Sequence, residues 1–480
     1  MSAWDGDLLN RKPIADFLTN FLDEQDDARV LNIDAPWGEG KTYFTTEWKR
    51  SICETRGAVY FNAWEVDYSG EPFFDLVAAI KEQLVNQAPT SKKVNDAAAE
   101  FLRKSAKVAL KAGPEVGKLI VKGLVKKALS TDLDEISDKI TEAGYTATES
   151  AVTQLLEDSS KTSMMVEEFK NELTNLIAVV SKEKNTDRKS DVAIPVYVFI
   201  DELDRCRPTY AVELLERVKH LFDVDNCKFV VATDTSQLVH SIRAVYGVGF
   251  DSQRYLRRFF DVTYRLKNDD LDGWAKISLE SLDASDFFDL RPVLKDKTRE
   301  RGYSYMSMGG MPLVEPHKDS ILSENGAVGT FHATFIAICK TFRLSLRDVQ
   351  KVMIHVKSSL ANTAGDKVHF FFLLYLAVLR YQDAELFLEM KKGWSSELED
   401  ILNKRYPPCY LYFSFENLSV HDIAKVYVET STIPKKELRE RWDALPDNKV
   451  EFVADVYMNA LNGKRLYSYF DVADLASDLR

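Results

Sequence analysis

Cysteine is scarce and scattered in this chain: five residues, Cys53, Cys206, Cys227, Cys339 and Cys409, an odd number never set two positions apart. That excludes a disulfide framework and a paired thiolate metal site, and leaves reduced, mostly buried thiols. Histidine is equally sparse, with seven residues and no pair one helical turn apart, so no histidine metal site is expected. Long apolar runs are missing as well. The longest uncharged run, Asn325 to Cys339, and the most apolar, Phe370 to Leu379, fall short of the roughly 20 residues a spanning helix needs.

The opening residues, Met1-Ser2-Ala3-Trp4-Asp5, lack the basic patch and apolar stretch of a secretory signal, so a cytoplasmic protein is expected. Glycine (20) and proline (14) are modest for 480 residues, and with 45% hydrophobic and 29% charged residues the chain is neither fibrous nor mostly disordered. There is no internal repeat. The length suggests about three domains, each large enough for its own core.

Charge is unevenly spread. The whole chain carries −12, which repels phosphate backbones and anionic lipid. Residues 103–127 reverse this: Arg103, Lys104, Lys107, Lys111, Lys118, Lys122, Lys126 and Lys127 stand against Glu115 alone, a local +7 that leaves −19 elsewhere. Apolar residues interleave with the lysines, the pattern of a basic amphipathic helix or helix pair interrupted near Gly113-Pro114.

Strand and helix patterns alternate through the first 266 residues. Arg29–Ile33, Ala58–Phe61, Ile194–Ile200 and Lys228–Ala232 are apolar strand candidates, while Phe73–Leu84 and Tyr210–Phe222 carry apolar residues at helical spacing. Such alternation points to an open parallel sheet. Between the second helix and the third strand lie about a hundred residues, too many for a βα connection, so 91–189 reads as a helical insertion ending in a polar Lys182–Ser190 linker. It includes an amphipathic helix marked by Val166, Phe169, Leu173, Leu176, Ile177 and Val180. Beyond 267 strand signals fade. Gly302–Gly326 reads as a loop and Val349–Leu360, Phe370–Leu379, His421–Glu429 and Phe452–Leu461 as helices.

The strongest chemical signal is Ala35-Pro36-Trp37-Gly38-Glu39-Gly40-Lys41-Thr42-Tyr43, placed directly after one apolar strand and opening a helix. That is the context of a phosphate-binding loop. Glycines let successive backbone N–H groups point at a phosphate, the helix start adds its positive end, Lys41 bridges the β- and γ-phosphates, and Thr42 ligates Mg²⁺. The consensus has glycine where this chain has Ala35. A second signal is Asp201-Glu202 at the end of the third strand, where ligands of open α/β sheets bind. Asp201 is placed to hold the metal and Glu202 to orient or deprotonate an attacking water. Asp234, after the fourth strand, reads either as a γ-phosphate sensor or as a helix N-cap.

These residues resemble the KAP family of P-loop NTPases. The resemblance runs through Leu9-Asn10-Arg11, Trp37-Gly38-Glu39-Gly40-Lys41-Thr42, Phe61-Asn62-Ala63-Trp64, Asp201-Glu202-Leu203-Asp204-Arg205-Cys206 and Tyr255-Leu256-Arg257-Arg258-Phe259-Phe260, in that order over residues 5–266. It implies ATP as nucleotide, Arg11 near the nucleotide, and an AAA+-like parallel sheet in which Lys228–Ala232 lies between the loop strand and the carboxylate strand. Arg257 or Arg258 stands where the family has a basic residue, for a γ-phosphate role or a surface ion pair. Arg347, in Leu344-Ser345-Leu346-Arg347-Asp348, resembles a weaker sensor at the start of a helical lid. Members often carry transmembrane helices in the insertion; here the basic stretch replaces them.

The expected fold is therefore α/β: a P-loop core over 1–90 and 190–266, a basic helical insertion over 91–189, and a mainly helical lid or effector region over 267–480. The expected function is an ATP-binding, ATP-hydrolysing conformational switch, with self-association or a partner protein, in bacterial defence or signalling. The alternative is a nucleotide-gated module or scaffold that engages nucleic acid or an anionic membrane surface through 103–127, with slow hydrolysis.

Overall fold

The run Val30–Asp34 (β1) is buried over its first four residues, as a strand covered on both faces must be. The structure, a computed structural model, describes residues 3–70, 72–88, 91–111, 159–184, 194–219, 224–267, 272–280, 282, 287–288, 320–321, 329–361, 368–413, 416–444, 456 and 468–477. The chain divides into two units, Met1–Lys267 and Asn268–Arg480.

In the first unit, helix α1 (Lys12–Glu24) precedes β1 and α2 (Lys41–Ile52) follows it; next come β2 (Ala58–Asn62), the short α3 (Ala63–Val66), α4 (Pro72–Asn86) and α5 (Lys92–Lys111). After them come α6 (Ser159–Lys184), β3 (Val196–Asp201), α7 (Pro208–Lys219), β4 (Cys227–Thr233), α8 (Thr235–Tyr246), α9 (Ser252–Leu256) and β5 (Val262–Arg265). The five strands are all parallel, in the order β2-β3-β4-β1-β5. As expected, β4 separates the loop strand β1 from the carboxylate strand β3. The edge strand β5 leaves no apolar run in the sequence, because its residues alternate between half-buried and exposed.

Period-two alternation splits the sheet residues between two cores. On one face Leu31, Ile33, Ala58, Tyr197, Phe199, Val230 and Ala232 pack with Leu18 and Leu22 of α1 and Phe44 and Trp48 of α2. On the other, Val59, Phe61, Val196, Val198, Ile200, Phe229 and Val231 meet Leu76, Val77, Ile80 and Leu84 of α4. Val94, Ala97, Ala98 and Phe101 of α5 and Leu173, Leu176, Ile177 and Val180 of α6 join that second core, so both described ends of the long insertion are anchored on the sheet. Of the basic stretch 103–127, helix α5 covers the backbone to Lys111 and the rest lies outside the described residues.

The second unit is built mainly of helices around Phe370–Gln382, in which Phe370 to Leu379 are all buried. Helices Gly329–Thr341, Leu346–Ala361 and Ser468–Ser477 pack with it. It also contains short strands the sequence did not reveal: Phe287–Phe288 pairs with Val368–His369, and Glu416–Ser419, Tyr410–Phe413 and Ser320–Ile321 form a three-stranded sheet. Two to four residues are too few to establish a strand period. Apart from Ser320–Ile321 the Gly302–Gly326 loop, and apart from Val456 the Phe452–Leu461 helix, lie outside the described residues. All five cysteines are free, with Cys206, Cys227 and Cys339 buried. Among the described residues no helix is long and apolar enough to cross a membrane.

Candidate functional site

Chain direction brings the C-terminal ends of β1, β3 and β4 to one edge of the sheet, and the sequence-predicted loop and acids stand there. After β1 the chain turns through Gly38 (φ +88°) and Gly40 (φ +76°), left-handed conformations that glycine adopts without steric cost. Gly40 caps α2, so Lys41, Thr42 and Tyr43 open the helix where backbone N–H groups have no intrahelical acceptor. This is an anion cradle made of main chain. Lys41 Nζ donates to the carbonyls of Ala35 (2.5 Å) and Pro36 (3.2 Å), which fold its ammonium back over the loop.

Arg11 is 1% exposed. Its guanidinium donates to the carbonyls of Glu39 (2.7 Å) and Gly40 (3.2 Å) and so fixes the same loop from the N-terminal segment. Asp7 accepts from the Arg11 backbone N–H and Trp4 N donates to Glu47 of α2 at 2.9 Å, tying this segment to the helix the loop opens. Burial holds the Arg11 guanidinium below its ordinary range. Trp37 and Tyr43 are exposed, and Tyr43 meets the edge of Trp4.

Opposite the loop, Asp201 is buried at the end of β3. Its Oδ2 accepts from Tyr60 OH (2.9 Å) and Thr45 Oγ1 (3.4 Å), and its Oδ1 from the backbone N–H of Glu202 (2.8 Å). Glu202 is left-handed (φ +60°), unusual outside glycine and a mark of a constrained site. Thr42 Oγ1 donates to Glu202 Oε1 at 3.1 Å, so the first turn of α2 and the acid pair are in direct contact. Burial pushes the Glu202 carboxyl above the usual carboxylate range and Asp201 pushes the same way, while Arg205 and the Thr42 hydroxyl pull it back.

Asp234 is the N-cap of α8: its Oδ1 accepts from the N–H groups of Ser236 (3.1 Å) and Gln237 (3.4 Å). Asp204, not singled out as a site residue, joins three segments. Its Oδ2 accepts from Trp37 Nε1 (2.5 Å) in the loop and from Asp234 N (3.0 Å) at the end of β4. Burial raises the Asp204 carboxyl, against the pull of Lys41 and of those two donors. Arg257, at the C-cap of α9, and Arg258 are exposed, and among the described residues neither forms an ion pair.

Sequence reasoning also missed Thr45 and Tyr60 as supports of Asp201. Thr45 was legible in outline, three residues after Thr42 on the same helix face. A model of the KAP family P-loop domain matches residues 11–292, from Arg11 through the loop and the acid pair to beyond β5. The chain belongs to the KAP family. Among curated proteins none matches it. It is thus a P-loop NTPase by family, a class whose members bind and hydrolyse nucleotide.

The donors also suit a hard divalent cation. Thr42 and Asp201 offer hydroxyl and carboxylate oxygen, and oxygen donors favour Mg²⁺. Tyr60 and Thr45 hold the Asp201 carboxylate in place, the kind of outer support that ligating carboxylates need.

Proposed function

We propose that the protein is an ATP-driven conformational switch that works with Mg²⁺. The observation that supports this best is the contact of Thr42 with Glu202, which sets the phosphate loop against the acid pair at hydrogen-bond range. In this reading the N–H groups of residues 38–42 and the Lys41 ammonium hold the β- and γ-phosphates, and Pro36, Trp37, Glu39 and Tyr43 frame them. Thr42 and Asp201 hold the metal, which supplies charge neutralisation on the phosphates. Glu202 accepts a proton from the attacking water, a task its raised affinity for protons suits. Asp234 and Arg257 or Arg258 answer to the γ-phosphate, the arginine from the same chain or from a second copy.

Residues 1–90 and 190–266 form the nucleotide core in this account, 91–189 the basic insertion and 267–480 the lid or effector. The switch serves a bacterial defence or signalling complex in the cytoplasm. The +7 stretch 103–127 favours a second reading, attachment to nucleic acid or an anionic membrane surface with slow hydrolysis. Purified protein is the test. Lys41→Ala is expected to lose both ATP binding and turnover, and Glu202→Gln to lose turnover while still binding; retained turnover in Lys41→Ala overturns the switch. Co-sedimentation with anionic liposomes and with DNA across a salt series tests the second reading, which ends if neither binds at low salt.

A further inference from the structure

Two motifs take no part in cradling phosphate, Asn62-Ala63-Trp64 and Asp204-Arg205-Cys206, yet they meet beside the acid pair. β2 and β3 are in register with Asn62 opposite Asp201, so β2 ends level with the carboxylates. Asn62 then caps α3, its side chain accepting from the N–H groups of Trp64 and Glu65, which starts a helix at once and sets Trp64 in its first turn. On the neighbouring strand, the chain leaves Glu202 through a short 3₁₀ turn, Leu203–Arg205. The Arg205 guanidinium carbon lies 5.6 Å from the centre of the Trp64 ring, within cation–π range. The same side chain forms an ion pair through Nε with Glu202 Oε2. Arg207 closes the contact from the other side: its N–H donates to Asp67 Oδ2 at 3.1 Å, just past α3.

Both oxygens of Glu202 are thus engaged, Oε1 by Thr42 and Oε2 by Arg205. A carboxylate that accepts a proton from water needs one oxygen open to that water. We propose that Arg205, held on the face of Trp64, is a latch that masks Glu202, and that its release is the step that switches hydrolysis on. This rests on the reading of Glu202 as the water-activating carboxylate. Arg205 and Trp64 are positioning residues here: they act through Glu202. Trp64 is the handle of the latch, since the residue is 51% exposed while the Glu202 side chain is 12% exposed.

The test compares Trp64→Ala, Arg205→Gln and Glu202→Gln in the full chain, measuring ATP binding, KM and kcat. The expected result is a kcat raised about threefold or more in Trp64→Ala and Arg205→Gln, with KM changed less than about twofold. Should Arg205→Gln fail to bind ATP, Trp64→Ala at its exposed position decides. Level or reduced kcat in both variants, alongside an inactive Glu202→Gln, overturns the latch and keeps the site. An active Glu202→Gln overturns the site reading itself.

Discussion

At the scale of single residues, the site rests on side chains whose work is to hold others still. Asp201 is fixed by Tyr60, Thr45 and the Glu202 N–H before any ligand arrives. Glu202→Gln keeps the shape and removes the base we propose, so kcat should fall by about 10²- to 10⁴-fold with ATP affinity little changed, read by single-turnover assay and calorimetry. The wild-type profile carries a sign as well: a carboxyl raised by burial loses its function at higher pH than an ordinary glutamate, so turnover should decline on acidification before the usual glutamate range is reached. Arg11→Lys keeps the charge but cannot fork to both loop carbonyls. A loss of about tenfold in ATP affinity, roughly 1.4 kcal/mol, is expected by calorimetry, and an unchanged affinity would remove the bracing role. Lys41, Thr42, Asp201 and Glu202 were all legible in the sequence, because spacing alone places them at a strand end or helix start. Arg205 on Trp64 was not, since the pair depends on strand register across a crossover of more than a hundred residues.

At the scale of elements, the four apolar strands and their order could be read because strands buried on both faces are continuous apolar runs. The edge strand β5 and the short strands after 267 could not, being too exposed or too brief to show a period. Close packing gives the elements a further test. Gly57 directly precedes β2, and a methyl built there would stand 2.8 Å from Val196 Cγ2 and 3.1 Å from Val180 Cγ1. Gly57→Ala must push β3 or α6 outward and should cost about 1–3 kcal/mol in denaturant unfolding. A neutral result would mean that the ends of the insertion sit on the sheet less tightly than described.

At the scale of the whole molecule, the second unit carries buried histidines that make its stability depend on acid. His369 is buried in the second unit, its Nδ1 3.1 Å from Tyr427 OH, and burial lowers its pKa to about 4 from 6.5. His421, 2.9 Å from Tyr375 OH, is lowered too. In the unfolded chain these imidazoles take up protons near 6.5, while the folded unit resists. The stability they confer is full above that value and is lost as pH falls toward 4, on the order of 3 kcal/mol for His369. Calorimetric scans from pH 7 to 4.5 should show the second unit's transition moving down, and His369→Gln should flatten that slope. A wild-type slope already flat over this range would refute it.

The grip of Arg11 on the carbonyls of Glu39 and Gly40, with Trp4 fastened to Glu47, means that the fingerprint stretch 29–42 is not portable. A fragment trimmed to begin at its first strand would retain every letter of the motif and forfeit the buttress beneath it. Engineered truncations and chimeras of this protein should therefore treat the segment from Trp4 to Arg11 as a foundation, however little it resembles one in the linear code.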